Sequence, residues 1–384
     1  MKQILSIFFF LCVTSPLFLF AQQKDTGFST EGWWKPAGPA FSPDIHADRT
    51  VTFRLKAPEI TRVELKLGEW EVETYPMHKD GEGVWSVTVG PIPPGIYQYT
   101  FEVQGIPVID MTNPVVKAGT SVYGSVLEIR GEKLLFDQLQ EVPKGDIHIL
   151  SYTSSSLKRP RKMYVYVPDS YYTNPDRTFP VLYLRHGGGD RESSWTEDGR
   201  AGIILDNLIA ARKAEPMLVV MTHGLTDGSW SGGSTVEGMR DLEAELLEDV
   251  LPLIEQRYRV RKERNSRAIA GLSMGGGQAY VMGLRNLHLF SSIGQFSAGI
   301  LSDGAFDHET YLPGVITNPE KVNRQLDLLW ISCGTKDPRY KGHRMFVEEL
   351  GAKGIHYEFH ESEAGHEWPF WRRQLHDFVQ RLFK

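Results

Sequence analysis

The chain has 384 residues, 41 % of them apolar and 23 % charged, with a formal net charge of −6. This is the balance of a globular protein with two domains, or three, and an ordinary core. The mild acidity and the lack of any Lys/Arg-rich run argue against nucleic acid and anionic membranes as partners.

Lys2, an apolar run from Ile4 to Phe20, and Ala21 before the polar Gln22-Gln23-Lys24-Asp25 read as a secretory signal peptide over residues 1–21. A transmembrane anchor is the alternative. Ser6, Thr14, Ser15 and Pro16 interrupt the run, which is short for a span of about 20 residues. No later segment is long and apolar enough for a stable membrane span, and the signal peptide makes the expected location secreted or periplasmic. Cys12 falls in the signal segment. Cys333 is then the only cysteine left, which excludes an intramolecular disulfide, and its apolar neighbours Leu328 to Ser332 read as a buried structural thiol.

Residues 28–130 read as an all-β domain. Val51 to Leu55, Val63 to Leu67 and Trp85 to Val89 alternate with the period of half-buried strands. Asp80-Gly81-Glu82-Gly83 and Pro91 to Gly95 supply turns before a strand at Tyr97 to Val103. Short strands at this spacing predict a small Ig-like sandwich, and no catalytic cluster is visible in it. Residues 131–146 read as a linker, punctuated by Gly131, Pro143 and Gly145.

From residue 147 to 384 strands alternate with helices. Strands are predicted at Met163 to Val167, Phe179 to Leu184, Met217 to Met221, Arg267 to Leu272, Leu328 to Cys333 and His356 to Phe359. Helices are predicted over Met239 to Tyr258 and Phe370 to Phe383. The nearly continuous apolar strands belong in a mostly parallel sheet covered on both faces. The fold class is α/β: an α/β-hydrolase fold preceded by a small all-β domain.

Gly271-Leu272-Ser273-Met274-Gly275 is a G-x-S-x-G between an apolar strand and a glycine-rich helix start. That context suits a sharp turn lifting a nucleophilic serine above a sheet. A serine needs a base, and the base an orienting acid, in the chain order Ser, acid, His. His366, in a loop before the last helix, is the candidate base; His360 and His376 read as packing or surface residues. Asp337, beyond the strand Leu328 to Cys333, is the candidate acid. Asp303, Asp307, Asp327, Glu361 and Glu363 are its rivals. The oxyanion donors are expected at the N–H of Met274 and at Gly188 in His186-Gly187-Gly188-Gly189. His186 is read as holding that loop. Trp195, Trp230 and Trp368, with Trp371, are candidates for stacking on an aromatic acid or sugar, or for the core. No metal-ligand spacing, phosphate loop or dinucleotide fingerprint is present, so no metal and no cofactor are expected.

Several stretches carry a family resemblance: Pro180 to Leu184 into His186-Gly187-Gly188-Gly189, Trp195, Arg267 to Gly276, Cys333 to Asp337, and Gly365-His366-Glu367-Trp368. The second half resembles carbohydrate esterase family 1, the feruloyl and acetyl-xylan esterases of the wider esterase D group. The resemblance implies an acyl-enzyme on Ser273, with Asp337 and His366 in support, and feruloylated or acetylated xylan oligosaccharide as substrate. Arg185 departs from the pattern, where an apolar residue is more usual. Val51 to Leu55, Asp80 to Val89 and Pro94 to Tyr97 resemble a family 48 carbohydrate-binding module. The alternatives are a siderophore esterase of the enterobactin type and a non-catalytic glycan-binding protein on a hydrolase fold. A neutral base at His366 predicts activity falling below about pH 6.5, near the free imidazole value.

Overall fold

A computed structural model describes residues 42–300 and 306–384. The signal-peptide reading, the start of the β domain up to residue 41 and Asp303 lie outside the described residues. Among the described residues no helix is long and apolar enough to cross a membrane.

The first half is a two-sheet sandwich. Its strands are β1 (Asp44–Ile45), β2 (Val51–Lys56), β3 (Val63–Leu67), β4 (Glu73–Pro76), β5 (His78–Lys79), β6 (Val84–Val89), β7 (Gly95–Val103), β8 (Ile106–Val108), β9 (Val116–Ala118) and β10 (Val122–Ile129). One sheet runs β1-β2-β6-β5. The other runs β4-β3-β7-β10-β9, with β8 on β7. The alternating residues are the ones that meet inside: Val51, Phe53, Val63, Leu65, Tyr99, Phe101, Leu127 and Ile129 form the core.

The second half is an eight-stranded sheet: β11 (Asp146–Ser154), β12 (Arg159–Val167), β13 (Val181–Arg185), β14 (Leu218–Thr222), β15 (Arg267–Leu272), β16 (Ser292–Phe296), β17 (Leu328–Gly334) and β18 (Glu358–Ser362). Their order is β11-β12-β14-β13-β15-β16-β17-β18. The first two pairings, β11 with β12 and β12 with β14, are antiparallel, and the rest are parallel. Every residue of β13, β14, β15 and β17 is buried, because apolar clusters cover both faces of the sheet. All the parallel strands end on the same edge, and loops there converge on one site.

Three local readings change. β16 carries Ser292, Gly294 and Gln295 between apolar residues, so periodicity hides a fully buried strand. The last strand starts at Glu358 rather than His356, whose N–H is taken by Asn323 Oδ1 at 2.9 Å. The long helix near residue 240 is three pieces, Val236–Ala244, a wider-wound π turn at Glu245–Val250, and Leu251–Arg257. Pro252 has no N–H to donate and crowds the carbonyl four residues earlier, which the wider turn accommodates. Within that turn, buried Glu245 pairs with Arg161 of β12 at 2.9 Å.

The stretch 131–146 is folded onto its surroundings. Gln138 is fully buried and donates to Ile129 O at 2.8 Å, and Asp137 pairs with Arg372 at 2.8 Å. The sandwich and the sheet domain fall within one compact unit.

Candidate active site

β15 runs straight into the helix Ser273–Arg285. The turn between them is so tight that Ser273 takes φ +49°, a left-handed conformation costly for a non-glycine residue. The turn closes because Gly275 lacks a side chain: a Cβ there would lie 2.6 Å from the Arg185 carbonyl of β13. Gly299 N–H grips the Ser273 carbonyl from behind at 2.7 Å.

Ser273 Oγ is 3.0 Å from His366 Nε2, and His366 Nδ1 is 2.6 Å from Asp337 Oδ2. The three residues come from the ends of β15, β17 and β18, which the parallel register brings level. Asp337 also accepts the Arg339 N–H at 2.9 Å on its other oxygen. Burial raises the Asp337 pKa, but the His366 hydrogen bond and charge and the Arg339 N–H outweigh it and hold the carboxyl below its ordinary value. It is therefore ionised at neutral pH and fixes His366 with a proton on Nδ1 and a lone pair on Nε2. Trp371 lies edge-on to the imidazole, with centroids 4.9 Å apart.

The rivals of Asp337 are engaged elsewhere. Asp307 caps a short helix through Thr310, Glu361 accepts from Tyr340, and Glu363 pairs with Lys336. The Asp327 N–H bonds Ser291 O, at the start of β17 and the wrong end of the sheet. His360 stacks on Trp330 and His376 bonds Asp377, both away from Ser273. Cys333 is fully buried, and burial pushes its thiol pKa up.

Met274 N–H lies in the first helical turn, where backbone donors have no intrahelical acceptor. Gly187 and Gly188 line the pocket above Ser273. His186 is buried and accepts the Gly224 N–H on Nε2 at 2.8 Å, so its Nδ1–H donates to Gly187 O, also at 2.8 Å. That bond orients the Gly187–Gly188 peptide, whose N–H is the candidate donor. Burial, with His223 nearby, lowers the His186 pKa to about 3, keeping the ring neutral. Arg185 is also buried. Its Nε donates to Gln278 at 2.6 Å, and Gln278 in turn donates to the carbonyls of Gly224 and Gly233, tying down the loop that carries Trp230.

The pocket over Ser273 has a volume of about 170 Å³. Trp230, Trp368, Trp371 and Leu272 form its apolar wall. Trp230 is exposed, and its ring covers Gly188. Trp195 is a correction: it is only 1 % exposed and sits in the core. Its ring is edge-on to Trp368 with centroids 5.2 Å apart, and its indole N–H donates to Arg185 O at 2.9 Å. It braces Trp368 and the strand end without facing the pocket. The remaining wall comes from the sandwich. Glu69, Lys117 and Tyr123 reach the pocket from the first half, which shows no catalytic pattern in sequence. Lys117 pairs with Asp190 at 3.1 Å, and Glu69 accepts the Trp368 N–H at 3.2 Å. Only the docking of two domains makes these residues neighbours.

The family model described as putative esterase matches residues 154–382. The chain belongs to this esterase family. Carbohydrate-binding module 48 (isoamylase N-terminal domain) matches residues 36–115 of this esterase. An endo-1,4-beta-xylanase/feruloyl esterase of Xylanibacter ruminicola is 31 % identical over 348 residues, covering 89 % of this chain and 46 % of the relative. An esterase of Mycobacterium tuberculosis is 29 % identical over 259 residues, 57 % of this chain and 55 % of the relative. The chain thus spans about half the length of these curated relatives. Among solved structures, a ferulic acid esterase aligns with TM-score 0.55 and 26 % identity over 63 % of this chain and all of that one. The enterobactin esterase of Shigella flexneri aligns with TM-score 0.63 over 92 % of this chain and 98 % of that one, at 16 % identity, a likeness of fold.

Proposed function

We propose that this esterase removes feruloyl and related hydroxycinnamoyl groups from xylan through an acyl-enzyme on Ser273. One observation carries the reading: the relay Asp337–His366–Ser273, at 2.6 and 3.0 Å, opens into a small pocket walled by tryptophans. His366 takes the proton as Ser273 Oγ attacks the acyl carbonyl. The N–H groups of Met274 and Gly188 receive the oxyanion. Collapse expels the sugar hydroxyl, which takes the proton from His366. Water, deprotonated by the same imidazole, then releases the acid.

A pocket of about 170 Å³ is well below the several hundred Å³ of sites that enclose a drug-sized ligand. It suits one flat acyl group, with the saccharide left outside. The likeness to the Xylanibacter enzyme, whose name carries both xylanase and feruloyl esterase, supports the same substrate class. The sequence of residues 1–21 supports export to where xylan is met.

The two-domain likeness to the enterobactin esterase favours a second reading, siderophore ester hydrolysis. The charges at the pocket speak against it. Glu69 and Asp190 outnumber Lys117 there, an unfavourable wall for a polyanionic iron–catecholate.

Wild type and Ser273→Ala should be compared on methyl ferulate, acetylated xylan and a cyclic triscatecholate ester. The expected result is rapid hydrolysis of methyl ferulate by wild type alone. Equal rates for both proteins would remove Ser273 from the mechanism. Turnover confined to acetyl or catecholate esters would overturn the acyl assignment.

A further inference from the structure

We propose that the sandwich domain is part of the catalytic apparatus: its β9–β10 hairpin holds the oxyanion loop through Thr120 and Tyr123. This rests on the Ser273 reading above. The glycine loop has three consecutive peptides, and each is held by a different part of the molecule. The Gly187–Gly188 peptide is held at its carbonyl by His186. The Gly188–Gly189 peptide is held at its N–H by Trp230 O, at 2.9 Å. The Gly189–Asp190 peptide is held from the sandwich. Thr120 N–H donates to Gly189 O at 2.7 Å and the Tyr123 hydroxyl at 3.0 Å, while the Thr120 hydroxyl lies 3.2 Å from the same oxygen.

Four groups of one hairpin therefore converge on two residues, since Lys117 Nζ also reaches Asp190 Oδ1, the end of the loop, at 3.1 Å. The approach is close enough to require glycine on both sides. A Cβ at Gly119, in the hairpin tip, would strike Gly189 O. Gly189 itself has φ +75°, and a Cβ there would strike the Tyr123 hydroxyl and the Trp230 ring. Glycine peptides are the softest backbone available, and an oxyanion donor stabilises a transition state only if it is already oriented. The sandwich removes that softness. Its contribution is to turnover of any ester, independent of whether the ester is attached to a polysaccharide.

The test uses the full chain with Thr120→Val, Tyr123→Phe and the double variant, assayed on p-nitrophenyl acetate and methyl ferulate. Deleting an oxyanion donor costs about 10²–10³ in kcat, so loosening one should cost about tenfold, with KM on the acetate unchanged. Inhibition by phenylboronic acid is the second readout. Ser273 Oγ adds to the trigonal boron, its proton passes to His366, and the negatively charged tetrahedral adduct places an oxygen in the hole. Its affinity should fall in parallel with kcat, while ferulate binding stays constant. Thr120→Ser should retain activity, as should Val122→Ala on the exposed face of the same hairpin. Folded double variant with wild-type kcat and boronate affinity would overturn the proposal, even if action on polymeric xylan were lost. A parallel rise in KM for both esters, with kcat intact, would overturn it too. Activity surviving in Ser273→Ala would instead bring down the reading on which it rests.

Discussion

Asp337→Asn replaces one oxygen by nitrogen, and the surroundings decide which one. The wild-type carboxylate accepts Arg339 N–H at 2.9 Å on Oδ1 and His366 Nδ1–H at 2.6 Å on Oδ2. An amide facing the other way would set its NH2 against the Arg339 N–H, donor against donor. The Asn oxygen therefore stays with Arg339 and the NH2 turns to His366. The imidazole can meet it only with a lone pair on Nδ1, which moves the ring proton to Nε2, facing Ser273 Oγ. The base then has no lone pair for the serine proton. Loss of the correct tautomer in such a relay costs about 10⁴ in kcat, or about 5 kcal/mol at 1.36 kcal/mol per decade. The shape and packing of the site are retained, so KM and the melting temperature should change little. The assay is kcat and KM on methyl ferulate beside a thermal melt. A folded variant within tenfold of wild-type kcat would refute the assigned relay.

Two tryptophans should separate core from pocket. Trp195→Ala should destabilise the fold by about 3–5 kcal/mol, read by denaturant unfolding, because the ring is buried against Trp368 and Phe296. Trp230→Ala should leave stability nearly unchanged and raise KM for methyl ferulate, because that ring is exposed over the glycine loop. A third prediction concerns pH. Burial raises the pKa of Asp198 to about 7 and that of Glu69 to about 6, against the pull of Lys117, with Asp190 adding a like charge beside Asp198. The folded state therefore holds protons that the unfolded chain releases near pH 4, and stability falls as pH rises from about 4 to about 7. Asp198→Asn should flatten that slope. It should melt higher than wild type at pH 7.5, by about 2–4 °C per kcal/mol relieved, and show little difference at pH 5. An unchanged slope would remove Asp198 as its source.

The fold class was legible because its determinants are local. The apolar runs at Val181, Leu218, Arg267 and Leu328 can only be buried strands, and the alternation at Val51 and Val63 only half-buried ones. Gly271 to Gly275 declares its turn because few other sequences can make it. β16 was hidden because Ser292, Gly294 and Gln295 break its apolar run although every one of its residues is buried, which no periodicity records. Trp195 and Trp230 are chemically identical in the sequence. Only packing sends one under the strand ends and the other over the glycines.

By itself the sequence singled out Ser273, Asp337 and His366 as the proposed relay, since each lies at the end of its own strand or in the loop beyond it, in the order the fold requires. The tertiary structure alone decided what surrounds them. The 2.6 and 3.0 Å spacings depend on strands brought level by parallel pairing. Glu69, Lys117 and Tyr123 enter the site, and Thr120 reaches its glycine loop, from a domain whose own pattern encodes only a sandwich. A contact between residues more than 60 positions apart leaves no mark on either segment: its energy exists only after both domains have folded and met.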